Sequence, residues 1–154
     1  KGDHVILATR QGKSIRFKES DVRPMGRTAA GVKAMRLAKN DDLIGADVIA
    51  SKEKDAWLLV MSANGFGKKT NVRHFRLQKR GGSGIKAAKI TPKTGAAVSA
   101  KVISPELEEL IAISQKGQII RTALASIPQL GRSTQGVRIM RLDGKDTIAS
   151  LTCL

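Results

Sequence analysis

Three stretches of the chain share an alternation of apolar and polar positions that predicts a pair of β-strands joined by a tight turn. In each stretch an apolar run leads to a turn glycine, and a shorter mixed run returns. The middle turn is Asn64-Gly65, the dipeptide that a type I′ hairpin turn favours, and the other two turns keep only the glycine. The apolar runs are residues 4–9, 57–62 and 110–114, and the returning runs are 13–17, 67–70 and 118–122.

A second segment also occurs three times, further along each copy. Residues 31–37 read GVKAMRL, residues 84–90 read GIKAAKI and residues 136–142 read GVRIMRL, so the leading glycines are 53 and 52 residues apart. A fixed period of this size indicates one folded unit used again. A β-branched strand closes each copy, at residues 43–50, 97–103 and 147–153.

These elements predict an all-β, propeller-like domain of three blades, each with about four antiparallel strands. We expect one repeat domain over residues 1–154, with units at approximately 1–54, 55–107 and 108–154. No helix is expected, and the segment that follows Pro105 is expected to be a linker turn. The chain lacks the WD dipeptide and the kelch double glycine, so neither of those blade types fits.

The excess of positive charge indicates that this propeller-like domain has a polyanionic partner. The chain has 28 basic and 13 acidic residues, and the net charges of the three units are +5, +8 and +2. Such an excess favours nucleic acid. An anionic membrane is less suited, because the sequence has neither a basic amphipathic helix nor an apolar run of spanning length. With Cys153 as its one cysteine, the chain has no internal disulfide, and we expect a soluble protein of the cytoplasm.

Basic residues recur at equivalent positions of the three copies, which is the main reason to expect binding to phosphates. Lys33 and Arg36 are three residues apart, so either a bulge lies near Ala34 or one of the two points toward a neighbouring unit. We also expect the basic loop residues to contribute. The predicted DNA-binding set is Arg16, Lys18, Arg27, Lys33, Arg36, Lys68, Lys69, Arg73, Lys79, Arg80, Lys86, Lys89, Arg121, Arg132, Arg138 and Arg141.

Duplex DNA is a better expected target than single strands, because aromatic residues are only 3% of the chain and tyrosine is absent. Three alternatives stay open. The cations could be solvated strand faces that prevent edge aggregation, the chain could be a protein-interaction propeller that docks an acidic partner, or it could bind RNA.

Several segments of the chain are similar to one known family. The segment from Arg16 to Gly26, the GRTxxGV motif at residues 26–32 and its counterpart at residues 131–137 resemble the C-terminal domains of topoisomerase IV and of the DNA gyrase A subunit. The resemblance covers essentially the whole chain. It does not decide between gyrase and topoisomerase IV as the parent enzyme.

The resemblance implies a β-pinwheel, a disc of blades that exchange strands, whose basic rim wraps duplex DNA to support negative supercoiling. It implies as partners the gyrase B subunit, together with the remainder of the gyrase A subunit, within an ATP-dependent topoisomerase of the bacterial nucleoid. Family discs have more blades than three, so the repeats look like a C-terminal half, and self-association through open blade edges would be one way to cover them.

One loop resembles the glycine-rich gyrase A box, although the family places that box in the first blade and a complete repeat precedes it here. The alternative is that it is the middle unit's version of the loop at residues 26–31. Either way its glycines and cations suit a close approach to phosphate. The loop consists of Gln78, Lys79, Arg80, Gly81, Gly82, Ser83 and Gly84.

No catalytic, cofactor or metal site is expected. Strand cleavage in the family uses a tyrosine nucleophile, and the sequence contains no tyrosine. The GFGKKT segment at residues 65–70 lacks the upstream glycine and the strand-to-helix context of a phosphate-binding loop. The two histidines and Cys153 do not have the spacing of zinc ligands.

Overall fold

The computed structural model describes residues 2–53 and 55–154, and within these ranges the chain forms three antiparallel β-sheets. The prediction of an all-β fold is confirmed. Single-turn 3-10 helices at Glu19–Asp21, Val72–His74 and Leu124–Ser126 follow the hairpins. The strands are β1 (His4–Thr9), β2 (Lys13–Lys18), β3 (Leu43–Ile49), β4 (Trp57–Ser62), β5 (Phe66–Asn71), β6 (Ile85–Lys86), β7 (Ala97–Ile103), β8 (Glu109–Ser114), β9 (Ile119–Ala123), β10 (Val137–Arg138) and β11 (Ile148–Cys153).

Each sheet is built on one of the predicted hairpins. The hairpins are β1–β2, β4–β5 and β8–β9, and the β-branched strands β3, β7 and β11 pair with their first strands. The turn glycine Gly65 has a φ of 83°, but Asn64 does not have the positive φ that a type I′ turn requires. The type I′ prediction is therefore wrong for this turn: the Gly65 amide donates to the Ser62 carbonyl, and only the glycine is left-handed. None of the helices in the described ranges has the length and apolarity to span a bilayer.

The fourth strand of a sheet comes from the next unit along the chain. The strand orders are β3-β1-β2-β6, β7-β4-β5-β10 and β11-β8-β9, so β6 joins the first sheet and β10 the second. The expectation of four strands therefore holds for two sheets, and the third has three. The repeated segment forms no strand in its first copy, residues 31–37, because the described chain has no sheet before it.

Adjacent units meet at two junctions that use the same backbone hydrogen bonds. The first junction joins β2 to residues 72–90, and the second joins β5 to residues 124–142. In the first, the amides of Ala87 and Ala88 donate to the Gly12 carbonyl, and in the second those of Ile139 and Met140 donate to the Gly65 carbonyl. The two junctions are thus repeats of one interface.

Two of the three hydrophobic clusters in the described ranges lie between adjacent sheets, and β4 contributes to both of these. Leu58 and Val60 belong to the core between the first and second sheets, whereas Leu59 and Met61 belong to the core between the second and third. Since successive side chains of a strand point to opposite faces, a strand that packs against apolar clusters on both faces is apolar at consecutive positions. This explains the continuous apolar run at residues 57–61.

Candidate nucleic-acid interface

The repeated segment exposes both of its basic positions. The irregular bonding of Ala87 and Ala88, whose two amides share the Gly12 carbonyl, interrupts the regular strand between them. Ala87 and Ala88 are both buried, and the cations on either side of them are exposed. This irregularity explains how two cations three residues apart can both be exposed, since a regular strand would place them on opposite faces. The exposed cations are Lys33, Arg36, Lys86, Lys89, Arg138 and Arg141.

A basic residue that sequence repetition did not identify lies beside this group. Lys13 is exposed and is the direct cross-strand partner of Lys86, so two cations share one face of the first sheet. Like charges in this arrangement are unfavourable unless an anion lies near both. Period matching missed Lys13 because the equivalent residues, Phe66 and Gln118, are uncharged.

A second group of cations surrounds Phe66, the first residue of the inner strand β5. The Arg138 guanidinium lies 4.9 Å from the centre of the Phe66 ring, and the Lys93 ammonium lies 5.6 Å from it. Lys93, Arg138 and Lys145 line one polar groove. Lys93 and Lys145 are equivalent residues, each nine positions after the leading glycine of its repeated segment, and the first unit has Asn40 there. The predicted set omitted them, although their recurrence in two units was a signal that could have found them.

The basic residues four positions after the turn glycine connect the units. Arg16 Nη1 donates to the carbonyls of Val72 and Phe75, at 2.9 and 3.2 Å. At the equivalent place in the second junction, Lys69 Nζ donates to the carbonyl of Leu124 at 2.9 Å. Both cations therefore hold the next unit's 3-10 helix, and burial lowers the pKa of Arg16.

The third member of that set, Arg121, has no further unit to hold in the described chain. It is exposed and pairs instead with Glu109 on the neighbouring strand, and the hydrogen bond to this carboxylate raises the pKa of Arg121. Lys69 is also 5.3 Å from the centre of the Trp57 ring.

Two of the three loop arginines, Arg80 and Arg132, also join neighbouring units. Arg132 Nη1 donates to the Lys86 carbonyl at 2.9 Å, and the equivalent Arg80 donates to the Lys33 carbonyl and, through Nε, to the Asp21 carbonyl at 3.1 Å. Each loop arginine thus contacts the repeated segment of the unit before it. Arg27, the equivalent residue of the first unit, is exposed.

The box-like loop is built into the first junction. The Gln78 amide donates to the Arg16 carbonyl at 2.7 Å, and the Gly81 amide donates to the Ala34 carbonyl at 2.8 Å. The Gly82 carbonyl accepts from the Arg36 amide at 2.8 Å. Lys79 is exposed, so the loop can offer this cation to a ligand while its backbone fixes the junction.

Lys68 is buried, with 1% of its surface exposed. Its Nζ donates to the carbonyls of Gly131 and Arg132, at 2.5 and 3.0 Å, and to Thr134 Oγ1 at 3.1 Å. Burial, and secondarily the nearby Arg132 guanidinium, lowers the pKa of Lys68 to about 8. Of the remaining predicted residues, Lys18 is exposed, and Arg73 is exposed and paired with Asp55.

The geometry therefore divides the predicted set into surface cations and cations that join the units. The described residues hold no cluster of three metal-ligating side chains. Exposed positive charge therefore recurs along the repeated segments.

Comparison with known proteins gives a consistent result. The family model described as "DNA gyrase C-terminal domain, beta-propeller" matches residues 3–50, 56–104 and 108–154. The DNA gyrase A subunit of Aminobacterium colombiense is 45% identical over 148 residues, which are 96% of this chain and 18% of that protein. The corresponding gyrase protein of Staphylococcus epidermidis is 44% identical over 144 residues, 93% of this chain and 16% of that protein.

Solved structures agree on the fold. A structure of a DNA gyrase A C-terminal domain matches with a TM-score of 0.89 and 28% identity, over 99% of this chain and 51% of that one. A C-terminal domain of DNA topoisomerase IV matches with a TM-score of 0.89 and 21% identity, over 99% and 46% respectively. The chain spans about half of the solved domains and less than a fifth of the curated relatives.

Proposed function

The chain belongs to the DNA gyrase C-terminal domain, beta-propeller family, and on this basis we propose that it is a non-catalytic module that binds and wraps duplex DNA. The observation that carries the proposal is the set of exposed cations of the repeated segment. They recur once per unit, and the same backbone bonds hold them in the second and third units. A ligand with evenly spaced negative charge fits this recurrence, and a duplex backbone has such charge.

Wrapping needs many weak contacts rather than one strong site. Bending 20–30 base pairs by 40–90° costs about 1–6 kcal/mol. Each phosphate that is neutralised releases counterions, and this gain is available at every unit. Cations that are distributed over successive units therefore offset the bending energy along the path of the DNA.

We place the module in an ATP-dependent type II topoisomerase of the bacterial nucleoid, with the gyrase B subunit, together with the remainder of the gyrase A subunit, as partners. The strand cleavage would lie in those other parts, because this chain has no tyrosine. The wrapped DNA would be presented to them in a chiral crossing that favours negative supercoils.

The open edges are the proposed contacts to further blades. Ile119 on β9 is 66% exposed, whereas the equivalent Ser14 and Gly67 are covered by β6 and β10. The repeated segment of the first unit is the other open edge. Its Gly31 has a φ of 85°, close to the values of 75° and 82° at Gly84 and Gly136, whose segments are paired with a sheet. When the chain is studied alone, a second copy is the candidate to cover these edges, and the mass in solution tests this.

DNA titrations at several salt concentrations test the proposal. If the six exposed cations each contact a phosphate, log K falls with log salt with a slope of about −5. A duplex of about 150 base pairs, one persistence length, should bind more tightly than a short one and bring its labelled ends together. A shallow slope, or binding that does not depend on length, would favour the protein-docking alternative.

Charge reversal identifies the surface. Changing Lys33, Lys86 and Arg138 to Glu should weaken binding at least about a hundredfold without unfolding. The matched control changes Lys39, Lys52 and Arg76 to Glu, which are exposed cations outside the repeated segments and give the same net charge. An equal loss in both triple variants would leave only a general charge effect and reject the assigned surface.

A further inference from the structure

Lys68 differs from every other member of the predicted DNA-binding set because its ammonium is enclosed by the next unit. Its three hydrogen-bond partners, the carbonyls of Gly131 and Arg132 and the hydroxyl of Thr134, all lie in the loop that begins the GRSTQGV segment. None of these partners carries a negative charge. A buried ammonium with only neutral partners is expensive to maintain, so a role for it needs to be sought.

The loop that Lys68 holds is connected to two surface cations of the middle unit. The Thr134 carbonyl accepts from the Lys89 amide at 3.0 Å, and the Arg132 side chain donates to the Lys86 carbonyl at 2.9 Å. Thr134 also closes the loop, since its hydroxyl donates to the Gly131 carbonyl at 2.8 Å. One buried nitrogen is thus linked through the loop to Arg132, Lys86 and Lys89.

The orientation of the loop follows from the planarity of its peptides. The C=O and N–H groups of a trans peptide point in opposite directions. Because Nζ draws the carbonyls of Gly131 and Arg132 inward, the N–H groups of Arg132 and Ser133 are directed away from Lys68. The buried charge therefore faces only acceptors, and the donors of the loop face the other way.

We propose that Lys68 is a positioning residue that fixes the loop of residues 131–134 from inside and thereby holds Arg132, Lys86 and Lys89 as one phosphate-binding cluster. The inference rests on the proposed function for its ligand, the phosphates of duplex DNA. Lys68 itself does not contact the DNA. The equivalent residue of the first unit, Ile15, is fully buried and fills the same place with an apolar side chain.

The proposal also makes the cluster sensitive to alkali. The charged side chain that acts on Lys68 is the Arg132 guanidinium, and neither a carboxylate nor an imidazole is among the partners of its ammonium. Burial and Arg132 bring the pKa of Lys68 to about 8. Loss of its proton removes one positive charge beneath the cluster and one of the hydrogen bonds to the loop.

The first test needs no DNA. In Lys68→Met, NMR hydrogen exchange of the Lys89 amide should accelerate at least about tenfold, because its acceptor lies in the released loop. The Arg36 amide, which donates to Gly82 in the first junction, is the internal control and should not change. Equal exchange of the Lys89 amide in both proteins would overturn the positioning role. Lys68→Ile, which copies the first unit, serves if the Met variant does not fold.

The second test uses a duplex of about 150 base pairs. Wild-type affinity should fall about fivefold between pH 7 and pH 9, the effect of one nearby charge, and that of Lys68→Met should stay nearly constant. The control Ile15→Met should keep the wild-type pH profile. A wild type without this fall, or a variant that retains it, would refute the alkaline response.

Amine-reactive labelling followed by mass spectrometry separates positioning from direct contact. Lys68 should resist labelling both with and without DNA, whereas Lys86 and Lys89 should be labelled in the free protein and protected by DNA. Protection of Lys68 only in the complex would overturn the proposal in favour of direct contact. If the wild type binds no DNA, the proposed function fails, and the exchange test still decides the role of Lys68.

Discussion

The first and second junctions share their backbone hydrogen bonds but differ in the side chains at two equivalent positions. Three residues after the turn glycine, the first junction has Ile15 and the second has Lys68. Four residues after it, the first has Arg16, which also contacts His4 at 2.7 Å, and the second has Lys69, which lies over Trp57. One backbone interface therefore accepts an apolar or a charged anchor.

The repeated interface is specified by backbone geometry, and its side chains determine how it responds to pH. A histidine supports the cation of the first junction, whereas the buried lysine of the second is itself titratable near neutral pH. The first junction should therefore respond to acid, and the second should respond to alkali.

The largest effect is expected at the glycines through which both junctions pair. Gly84 has a φ of 75°, and a Cβ there would lie 2.5 Å from the Ser14 carbonyl oxygen. For Gly136 the φ is 82°, with the same distance to the Gly67 carbonyl oxygen. Gly84→Ala or Gly136→Ala should lower the free energy of unfolding, measured in urea, by more than about 3 kcal/mol.

The matched control for these glycines is Gly31→Ala. Gly31 has the same left-handed backbone, with a φ of 85°, but no atom lies within 4 Å of where its Cβ would be. It should cost only the conformational strain of about 1–2 kcal/mol. Equal losses at all three glycines would mean that strain, and not the packing of the junctions, decides the stability.

The next effect is the alkaline response of the second junction. Since the pKa of Lys68 is about 8 in the folded chain against an ordinary value of 10.5, the unfolded chain binds one more proton between these values. The free energy of unfolding of the wild type should therefore rise relative to Lys68→Met, by up to about 3 kcal/mol from pH 8 to pH 10.5. The difference between Ile15→Met and the wild type should not change with pH in this way. A difference between the wild type and Lys68→Met that stays constant from pH 8 to pH 10.5 would contradict the lowered pKa of Lys68.

A smaller difference is expected between the two cations that hold the 3-10 helices. Arg16→Ala removes two bonds to carbonyls and two to His4 Nδ1, and should cost about 2–3 kcal/mol in the free energy of unfolding. Lys69→Ala removes one bond to a carbonyl and should cost about 1–2 kcal/mol. Arg121→Ala, at the open edge, should have no measurable effect on the free energy of unfolding of a monomer, because its ion pair is exposed.

The smallest effect is acid weakening of the first junction. Burial, followed by the charges of Arg16 and Lys18, lowers the pKa of His4, which accepts a hydrogen bond from Arg16. Between the ordinary value of about 6.5 and this lowered pKa, the unfolded chain binds more protons, so stability falls as the pH falls. Between about pH 7 and about pH 5, the melting temperature of His4→Gln should fall less than that of the wild type. The reverse order would reject this role for His4.

Much of the fold was predictable from local patterns. The hairpins follow from apolar runs that end at a turn glycine, and the fixed period indicates equivalent units. The exposed cations of the repeated segment were also predicted, because charge that recurs with the period identifies a surface common to all units. Lys93 and Lys145, by contrast, recur only in the second and third units, since the first unit has Asn40 at this position, and the predicted set did not include them.

The roles of Arg16, Lys69 and Lys68 could not be predicted from the sequence. Periodicity identifies equivalent positions, but it does not distinguish a cation that faces solvent from one that faces the next unit. Lys68 and Lys69 are consecutive residues of the same type, yet only Lys68 has almost no exposed surface. Strand alternation puts them on opposite faces, and only the position of the next unit determines what each face meets.

The hairpin strands, the repeated unit, the excess of positive charge and the family all follow from the sequence, because these depend on the order and type of neighbouring residues. Which basic residues are exposed and which join the units depends on the tertiary structure. Lys68 and its partner Gly131 are 63 residues apart, so their contact depends on how one unit docks against the next. The physical reason is that the burial of a charge depends on surfaces that meet after the strands have formed.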